Sequence, residues 1–105
     1  MISVLVEYDN KHKTRLIKIS GHSGYDEEGK DIVCAAASAI FIGGLNAISN
    51  PDLFKISYDK GFGSIESIGE LSESDCIVLN TMVIQLKTIE ETYASFIKIK
   101  EEGGI

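Results

Sequence analysis

The segment "DIVCAAASAIFIGGLNAIS", residues 31–49, predicts the first helix of the fold. Asp31 can act as an N-cap for the apolar run that follows it, and alanine, the strongest helix former, fills the first turns. The run continues for about four turns and is apolar on nearly all sides, which predicts a helix buried on several faces. Gly43 and Gly44 weaken a helix intrinsically, so we expect them to allow close packing. "SNP" (49–51) ends the helix, because a residue before proline disfavours helical geometry.

A hairpin is predicted on each side of this helix. In each candidate strand, apolar and polar residues alternate with a period of two or β-branched residues dominate, and turn residues separate the two strands of a pair. The predicted strands are Ile2–Tyr8, Thr14–Ser20, Leu53–Tyr58 and Ser64–Leu71.

A second, amphipathic helix is predicted through "DCIVLNTMVIQLKTIEETYASF" (75–96), with Ser72 or Ser74 as its N-cap. The tail "IKIKEEGGI" fits either a frayed helix end or a short edge strand, so residues 97–100 stay open. The order of elements predicts an α+β fold, in which two ββα units form a four-stranded, mostly antiparallel sheet packed with two helices. We expect a single domain over residues 1–105.

Charge and composition exclude some classes of function. The net charge of -6 argues against a nucleic-acid binder, which needs Lys and Arg to neutralise phosphates, and is compatible with a basic protein partner. The opening "MISVLVEY" has neither a basic segment nor a long apolar core, so no secretory signal is predicted. Residues 32–48 fall short of the roughly 20 apolar residues that a membrane span needs. We therefore expect a cytoplasmic protein with reduced thiols at Cys34 and Cys76.

His22 and Cys34 are the candidate pair for catalysis. With Asp31 as N-cap, Cys34 falls in the first turn of the helix, where unpaired N–H groups and the helix dipole favour a thiolate and can hold an oxyanion. His22 follows the second strand, and the loop between the two residues is long enough to fold back. A histidine can take the thiol proton and return it to a leaving amine, with Asp31 as an orienting group.

Each of these residues also has a purely structural interpretation. A cysteine in an apolar helix is most often a small core residue, and a histidine beside a turn is most often solvated. Ser38, one turn after Cys34, can bond to a site group or to the carbonyl one turn back. Cys76 is interpreted as a packed or spare thiol, and the acids at 26–28 as a solvated loop surface. The His and Cys residues are too dispersed to predict a metal site, and no cofactor is predicted.

The segment "GHSGYDEEGKDIVCAAASA" (21–39) resembles the signature of the Prp family, the ribosomal-processing cysteine proteases. The matching positions occur in order and spacing: Gly21, His22, Gly24, Tyr25, Gly29, Lys30, Asp31, Ile32, Val33, Cys34, Ala35, Ala36 and Ser38. The likeness extends loosely along the whole chain. Ser23 stands where alanine is common in the family, and the acids at 26–28 make this loop unusually acidic.

The resemblance implies a fold, an activity and a partner. Members of the family are small α+β homodimers that remove an N-terminal extension from a large-subunit ribosomal protein. By similarity Cys34 is the nucleophile and His22 its catalytic partner, while Asp31 and Ser38 match further motif positions whose roles the resemblance leaves open.

The resemblance also implies how a substrate is held. The loop 21–30 is similar to the family's mobile segment, which orders around the substrate; its motif residues are Gly21, Gly24, Tyr25, Gly29 and Lys30. Bulky apolar residues precede the scissile bond in the family's substrates. An apolar groove beside Cys34 is therefore expected, with Phe41 or Tyr25 in it.

These observations together predict a cytoplasmic cysteine endopeptidase that trims a ribosomal-protein precursor, forms a homodimer, and binds neither nucleic acid nor membrane directly. Two alternatives stay open. A catalytically idle homologue could dock on the ribosome or its precursor through the same groove. Cys34 could instead be a redox sensor, provided that Cys76 lies within disulfide reach.

Overall fold

The computed structural model describes residues 1–27 and 29–104. Over these residues a five-stranded sheet packs against two helices, with the strands in the order β3-β4-β2-β1-β5. Along the chain the elements are β1 (Ile2–Tyr8), β2 (Thr14–Ser20), α1 (Ile32–Ala47), β3 (Phe54–Asp59), β4 (Phe62–Ser67), α2 (Glu73–Tyr93) and β5 (Ile97–Gly103). A short 3-10 helix, Pro51–Leu53, precedes β3.

The α+β class is confirmed, but the prediction of a four-stranded, mostly antiparallel sheet made of two ββα units is wrong. The ambiguous tail forms β5, which pairs parallel with β1, so the sheet is mixed and the second unit is ββαβ. The physical reason lies in the alternation of the tail. Ile97 and Ile99 face the core, fully and partly buried, while Lys98 and Lys100 remain exposed. In addition, β4 ends at Ser67 rather than at residue 71, and the following residues connect to α2.

One hydrophobic core fills the space between the sheet and the helices. A row of apolar side chains crosses three neighbouring strands: Val6 of β1 lies opposite Ile17 of β2, which lies opposite Ile65 of β4. The buried residues of the two helices pack into the same cluster: Val33, Ala37, Phe41, Leu79, Met82, Val83 and Leu86. This packing holds the N-terminus of α1 in place at one end of the sheet.

Helix α1 begins as the sequence predicts, with Asp31 as its N-cap. The close packing expected at Gly43 and Gly44 is made by Gly44 alone. A Cβ on Gly44 would lie 2.2 Å from the Met82 Sδ of α2, whereas a Cβ on Gly43 would meet nothing within 4 Å. Within the described residues, neither helix combines the length and apolarity that crossing a membrane requires.

The two glycines form a matched pair for a stability measurement. We expect Gly44→Ala to lower the free energy of unfolding by about 1–3 kcal/mol, because the added methyl group overpacks the contact between α1 and α2. Gly43→Ala should raise it by up to about 1 kcal/mol, because alanine favours the helix and the site is open. Urea unfolding followed by circular dichroism measures both. Changes of the same sign in the two variants would contradict the packing described here.

Asp75 joins the two helices and was not singled out from the sequence. Ser72 rather than Ser74 caps α2, accepting a hydrogen bond from the Asp75 N–H at 3.2 Å. The Asp75 side chain is fully buried and accepts the N–H groups of Ser49 and Asn50, which follow α1. The hydrogen bond from Ser49, supported by those from Asn50, lowers the pKa of Asp75 against the opposing effect of burial. This carboxylate therefore stays ionised and fixes the exit of α1 to the start of α2.

Candidate active site

Three segments meet at one end of the sheet: the end of β2, the start of α1 and the turn between β3 and β4. The Gly21 N–H donates to the carbonyl of Gly61 in that turn at 3.0 Å. Gly21 has a φ of +92°, and a Cβ there would lie 2.6 Å from the Met1 carbonyl oxygen, so glycine is required. The chain leaves β2 at this point and passes His22 on its way to α1.

A cleft of about 530 Å³ opens where these segments meet. Cys34, His22, Asp31 and Ser38 all border it, so the structure brings together the four residues singled out from the sequence. Much of the remaining wall is apolar: Ile19, Phe41, Tyr58 and Phe62. Such a cleft suits a peptide that presents apolar side chains beside a reactive thiol.

Cys34 lies in the first turn of α1 and is partly exposed. The Asp31 carboxylate caps this turn through Oδ1, which accepts the N–H groups of Val33 at 3.0 Å and of Cys34 at 2.9 Å. The Cys34 Sγ accepts a hydrogen bond from the backbone N–H of Ser23 at 3.3 Å. The residue next to His22 therefore touches the candidate nucleophile through its main chain.

The expected oxyanion site at the helix start is partly occupied. The N–H groups of Val33 and Cys34 donate to Asp31, so neither is free to receive an oxyanion in this arrangement. The N–H of Ser23 points at the sulfur itself. When the sulfur bonds to the carbonyl carbon of a substrate, the oxygen on that carbon comes within hydrogen-bonding reach of the Ser23 N–H.

Asp31 binds the loop rather than the imidazole. Its Oδ2 accepts the hydroxyl of Ser23, and within residues 1–27 and 29–104 no hydrogen bond joins it to His22. Burial opposes ionisation of this carboxyl, but the hydrogen bonds from the Ser23 hydroxyl and the Cys34 N–H outweigh it and hold the pKa of Asp31 at about 2. The expected role of Asp31 as an orienting group for His22 is therefore not seen. The carboxylate is a cap and a loop anchor.

His22 stands at the mouth of the cleft. It is exposed, and its imidazole lies beside the turn between β3 and β4, since a Cβ built on Gly61 would be 3.4 Å from His22 Nε2. Among the hydrogen bonds that the described residues make, none joins His22 to Cys34. The two side chains share one cavity without bonding to each other.

The loop between them depends on glycine. Gly24 and Gly29 have φ angles of +72° and +90°, and neither would bring a Cβ within 4 Å of another atom. These two positions therefore need glycine for its backbone geometry rather than for space. Lys30 pairs with Glu27 at 2.8 Å, and both side chains are exposed. Glu28, one of the three acids noted in the sequence, lies outside the described residues.

Tyr25 anchors the loop through two aromatic contacts outside the cleft. Its ring packs edge-on against Tyr93 at 5.6 Å and Phe96 at 5.1 Å between centroids. Of the two aromatic residues expected in the groove, Phe41 is there, stacked on Tyr58 at 6.0 Å, whereas Tyr25 is not among the residues that border the cleft. The loop is thus docked on the junction of α2 and β5.

Sequence reasoning missed the contribution of the second hairpin to the site. Tyr58, Gly61 and Phe62 lie in "YDKGF" (58–62), which was interpreted only as a turn and its flanks. The aromatic residues beside a glycine turn were a usable signal, but the position of this turn beside His22 follows from β4 pairing with β2. Ser38 faces the cleft one turn after Cys34, and its hydroxyl makes no hydrogen bond within the part of the chain that the structure describes.

Cys76 is remote from Cys34. It lies beside the turn between β1 and β2, near Asp9 and Lys13, whereas Cys34 is beside the other end of β2. A strand of seven residues such as β2 separates its ends by roughly 20 Å, far beyond the distance that a disulfide spans. Both cysteines are free thiols. An intrachain disulfide switch between them is excluded in this fold.

Comparisons with known proteins point to one family. A family model described as cysteine protease Prp matches residues 1–98. A protein of Staphylococcus aureus named ribosomal processing cysteine protease Prp is 36% identical, over 94% of this chain and 97% of its own length. The crystal structure of the Staphylococcus aureus protease Prp with a covalently linked product peptide has a TM-score of 0.88 and 33% identity, covering 97% of this chain and 100% of the other. The same protease with a substrate peptide has a TM-score of 0.77 and 31% identity, with the same coverage.

Proposed function

Since this chain belongs to the Prp family of cysteine proteases, it is a cysteine protease, and we propose that it removes the N-terminal extension of a large-subunit ribosomal protein precursor. One observation carries the proposal. Cys34 lies at a capped helix start in a largely apolar cleft, within a fold similar to a protease structure that holds a covalently linked product peptide. A thiol in that setting is accessible to a peptide carbonyl and is close to a histidine.

In the proposed mechanism the Cys34 thiolate attacks the scissile carbonyl and forms a tetrahedral oxyanion. His22 takes the thiol proton and passes it to the leaving amine, which departs as the thioester forms. Water, deprotonated by His22, then attacks the thioester carbonyl. The carbon–sulfur bond breaks, the carboxyl product leaves, and His22 returns the proton to the Cys34 sulfur. The N–H of Ser23, which meets the sulfur at 3.3 Å, is the donor we assign to the oxyanion.

The proposed mechanism requires one movement. His22 rests beside Gly61 and must approach Cys34 for proton transfer. Gly24 and Gly29 have open surroundings and glycine backbones, so they allow the loop to close. We propose that the loop 21–30 closes over a bound peptide around a fixed Ser23, while the exposed His22 side chain turns towards the sulfur.

The cleft and the charge of the chain suit the proposed substrate. Phe41, Tyr58 and Phe62 form an apolar wall that can receive bulky side chains before the scissile bond. The net charge of -6 favours encounter with a basic partner, and a protein that binds ribosomal RNA is rich in Lys and Arg. The same charge disfavours direct binding of nucleic acid. We propose that the enzyme works in the cytoplasm, where ribosomal precursors are made.

We also propose that the protein is a homodimer. The helices leave large apolar side chains exposed, namely Ile42 on α1 and Ile77 and Ile84 on α2. A second copy of the chain would cover such residues. In this proposal the dimer interface does not include the Cys34 cleft.

A peptide assay tests the proposed activity. The protein is incubated with a synthetic peptide that spans the junction of the extension and the mature ribosomal protein, and mass spectrometry follows the products. We expect two fragments that meet at a single bond after bulky apolar residues. A control peptide with those residues changed to serine should stay intact, because it cannot fill the apolar wall. If the native junction peptide binds but is never cut, the alternative of a binding module would replace the protease assignment.

A further inference from the structure

Ser23 is a buried polar residue inside an exposed segment. Only 4% of its surface is exposed, while its neighbours Gly21, His22 and Gly24 are exposed. Burial of a hydroxyl and an N–H is unfavourable unless both groups find partners. The partners of Ser23 therefore explain why this residue turns inward while the rest of the segment faces water.

Both polar groups that Ser23 donates, its hydroxyl and its N–H, bond to residues of the site. The Ser23 hydroxyl donates to Asp31 Oδ2, and its oxygen accepts the N–H of Tyr25 at 3.1 Å. The Ser23 N–H donates to Cys34 Sγ. Asp31, in turn, holds the N–H of Cys34 through its other oxygen. The side chain of Ser23 thus links the loop to the cap of α1, and its main chain rests on the sulfur.

We propose that Ser23 is a positioning residue, whose hydroxyl, clasped to Asp31, holds its own N–H against the Cys34 sulfur. This inference rests on the protease function proposed above. The Ser23 side chain exchanges no proton and forms no covalent bond in the reaction. It acts through Asp31 and through the direction of one backbone N–H.

The hydrogen bond from the Ser23 hydroxyl to Asp31, called the clasp below, has two consequences. A hydrogen bond to sulfur favours the thiolate over the thiol. The Ser23 hydroxyl also offsets part of the negative charge of the nearby Asp31 carboxylate, which would otherwise repel a thiolate. Loss of the hydroxyl should therefore make the thiolate of Cys34 harder to form. It should also loosen the donor assigned to the oxyanion, which would lower kcat with a smaller effect on KM, because the oxyanion exists only after attack.

The test is the variant Ser23→Ala in a Cys76→Ser background, so that Cys34 is the only thiol. Its alkylation by iodoacetamide is measured against pH, and kcat and KM are measured with the junction peptide. We expect the pH midpoint of alkylation to rise by about 0.5–1 unit, and kcat to fall about 3–10-fold, as for partial loss of one hydrogen bond to a charged group. Ser3→Ala, on an exposed position of β1, is the matched control and should change neither quantity.

The two proposals fail separately in this experiment. If the unmodified protein does not cut the peptide, the proposed function fails, while the alkylation midpoint still reports on the clasp. If the protein cuts and Ser23→Ala keeps both the midpoint and kcat, the clasp has no positioning role. A rise in KM alone would also overturn it, since it would show a role in substrate binding only. Ser23→Thr, which retains a hydroxyl, should return both quantities towards the original values; a folded Ser23→Thr variant as impaired as Ser23→Ala would count against the hydroxyl as the cause.

Discussion

Replacing Cys34 with alanine is expected to abolish cleavage of the junction peptide, with a loss of at least about 10³-fold, because the attacking sulfur is removed and the remaining groups have no nucleophile to assist. Cys34→Ser should be nearly as inactive, because a hydroxyl in this setting ionises far less readily than a thiol. The measurement is single-turnover cleavage followed by mass spectrometry, with enzyme in excess so that slow activity is visible.

The fold should survive the Cys34→Ala change. Cys34 is only partly buried, and its replacement removes the sulfur that accepts the Ser23 N–H, so the free energy of unfolding should fall by about 1–3 kcal/mol, less than the stability of a typical domain. The peptide should therefore still bind, as titration by fluorescence or calorimetry would show. Cys76→Ala is the matched control, since that thiol lies at the other end of the sheet, and it should retain full activity. Cleavage by Cys34→Ala at the original rate would end the assignment of the nucleophile.

The second large effect is expected for His22→Ala, which should reduce kcat by about 10²–10⁴-fold, the usual contribution of a positioned acid and base. Since the imidazole is exposed beside Gly61, its removal leaves room at the mouth of the cleft. Added imidazole should therefore restore part of the activity. The pH dependence of cleavage, measured with and without added imidazole, reports whether the proton transfer has been recovered.

The other histidine provides the control for this prediction. His12 lies in the turn between β1 and β2, with a φ of 61°, far from the cleft. His12→Asn suits that backbone conformation and should leave kcat unchanged. If His22→Ala cleaved as fast as the original protein, another group that borders the cleft would have to transfer the protons of the reaction. The movement proposed to bring His22 to Cys34 would then not be needed.

The sequence predicted local features well and long-range ones poorly. Helix α1 with its Asp31 cap and the placement of Cys34 in the first turn were read correctly, because capping and helix propensity involve residues within one turn of each other. The alternation of β1 and β2 likewise predicted a hairpin that the structure contains. By contrast, the short run of alternating lysines and isoleucines that forms β5 fits either a helix end or a strand, because only its pairing with β1 distinguishes the two.

The composition of the site shows the same division. The motif of residues 21–38 predicts that His22 and Cys34 act as a pair, and both border one cleft, but the motif does not indicate that Asp31 holds Ser23 rather than the imidazole. Nor did it reveal that Gly61 and Tyr58 stand across the cleft. The Ser23 signal was present as a departure from the family's usual alanine, and only the burial of the side chain gave that departure a physical meaning.

From the sequence alone it follows that Cys34 lies in the first turn of a helix and that a glycine-bearing loop connects it to His22, because capping and helix propensity depend on near neighbours in the chain. The burial of α1 does not follow in the same way. Its apolar run predicts burial on several faces, whereas the buried residues lie along one face: Val33, Ala37, Phe41 and Gly44. Strand pairing and core packing set which surfaces complete the cleft, and they leave the His22 and Cys34 side chains without a bond to each other. Those outcomes depend on the strand order β3-β4-β2-β1-β5 and on where the common core places each turn. Such contacts join residues distant in sequence, and burial of the whole core, rather than any local pattern, selects among them.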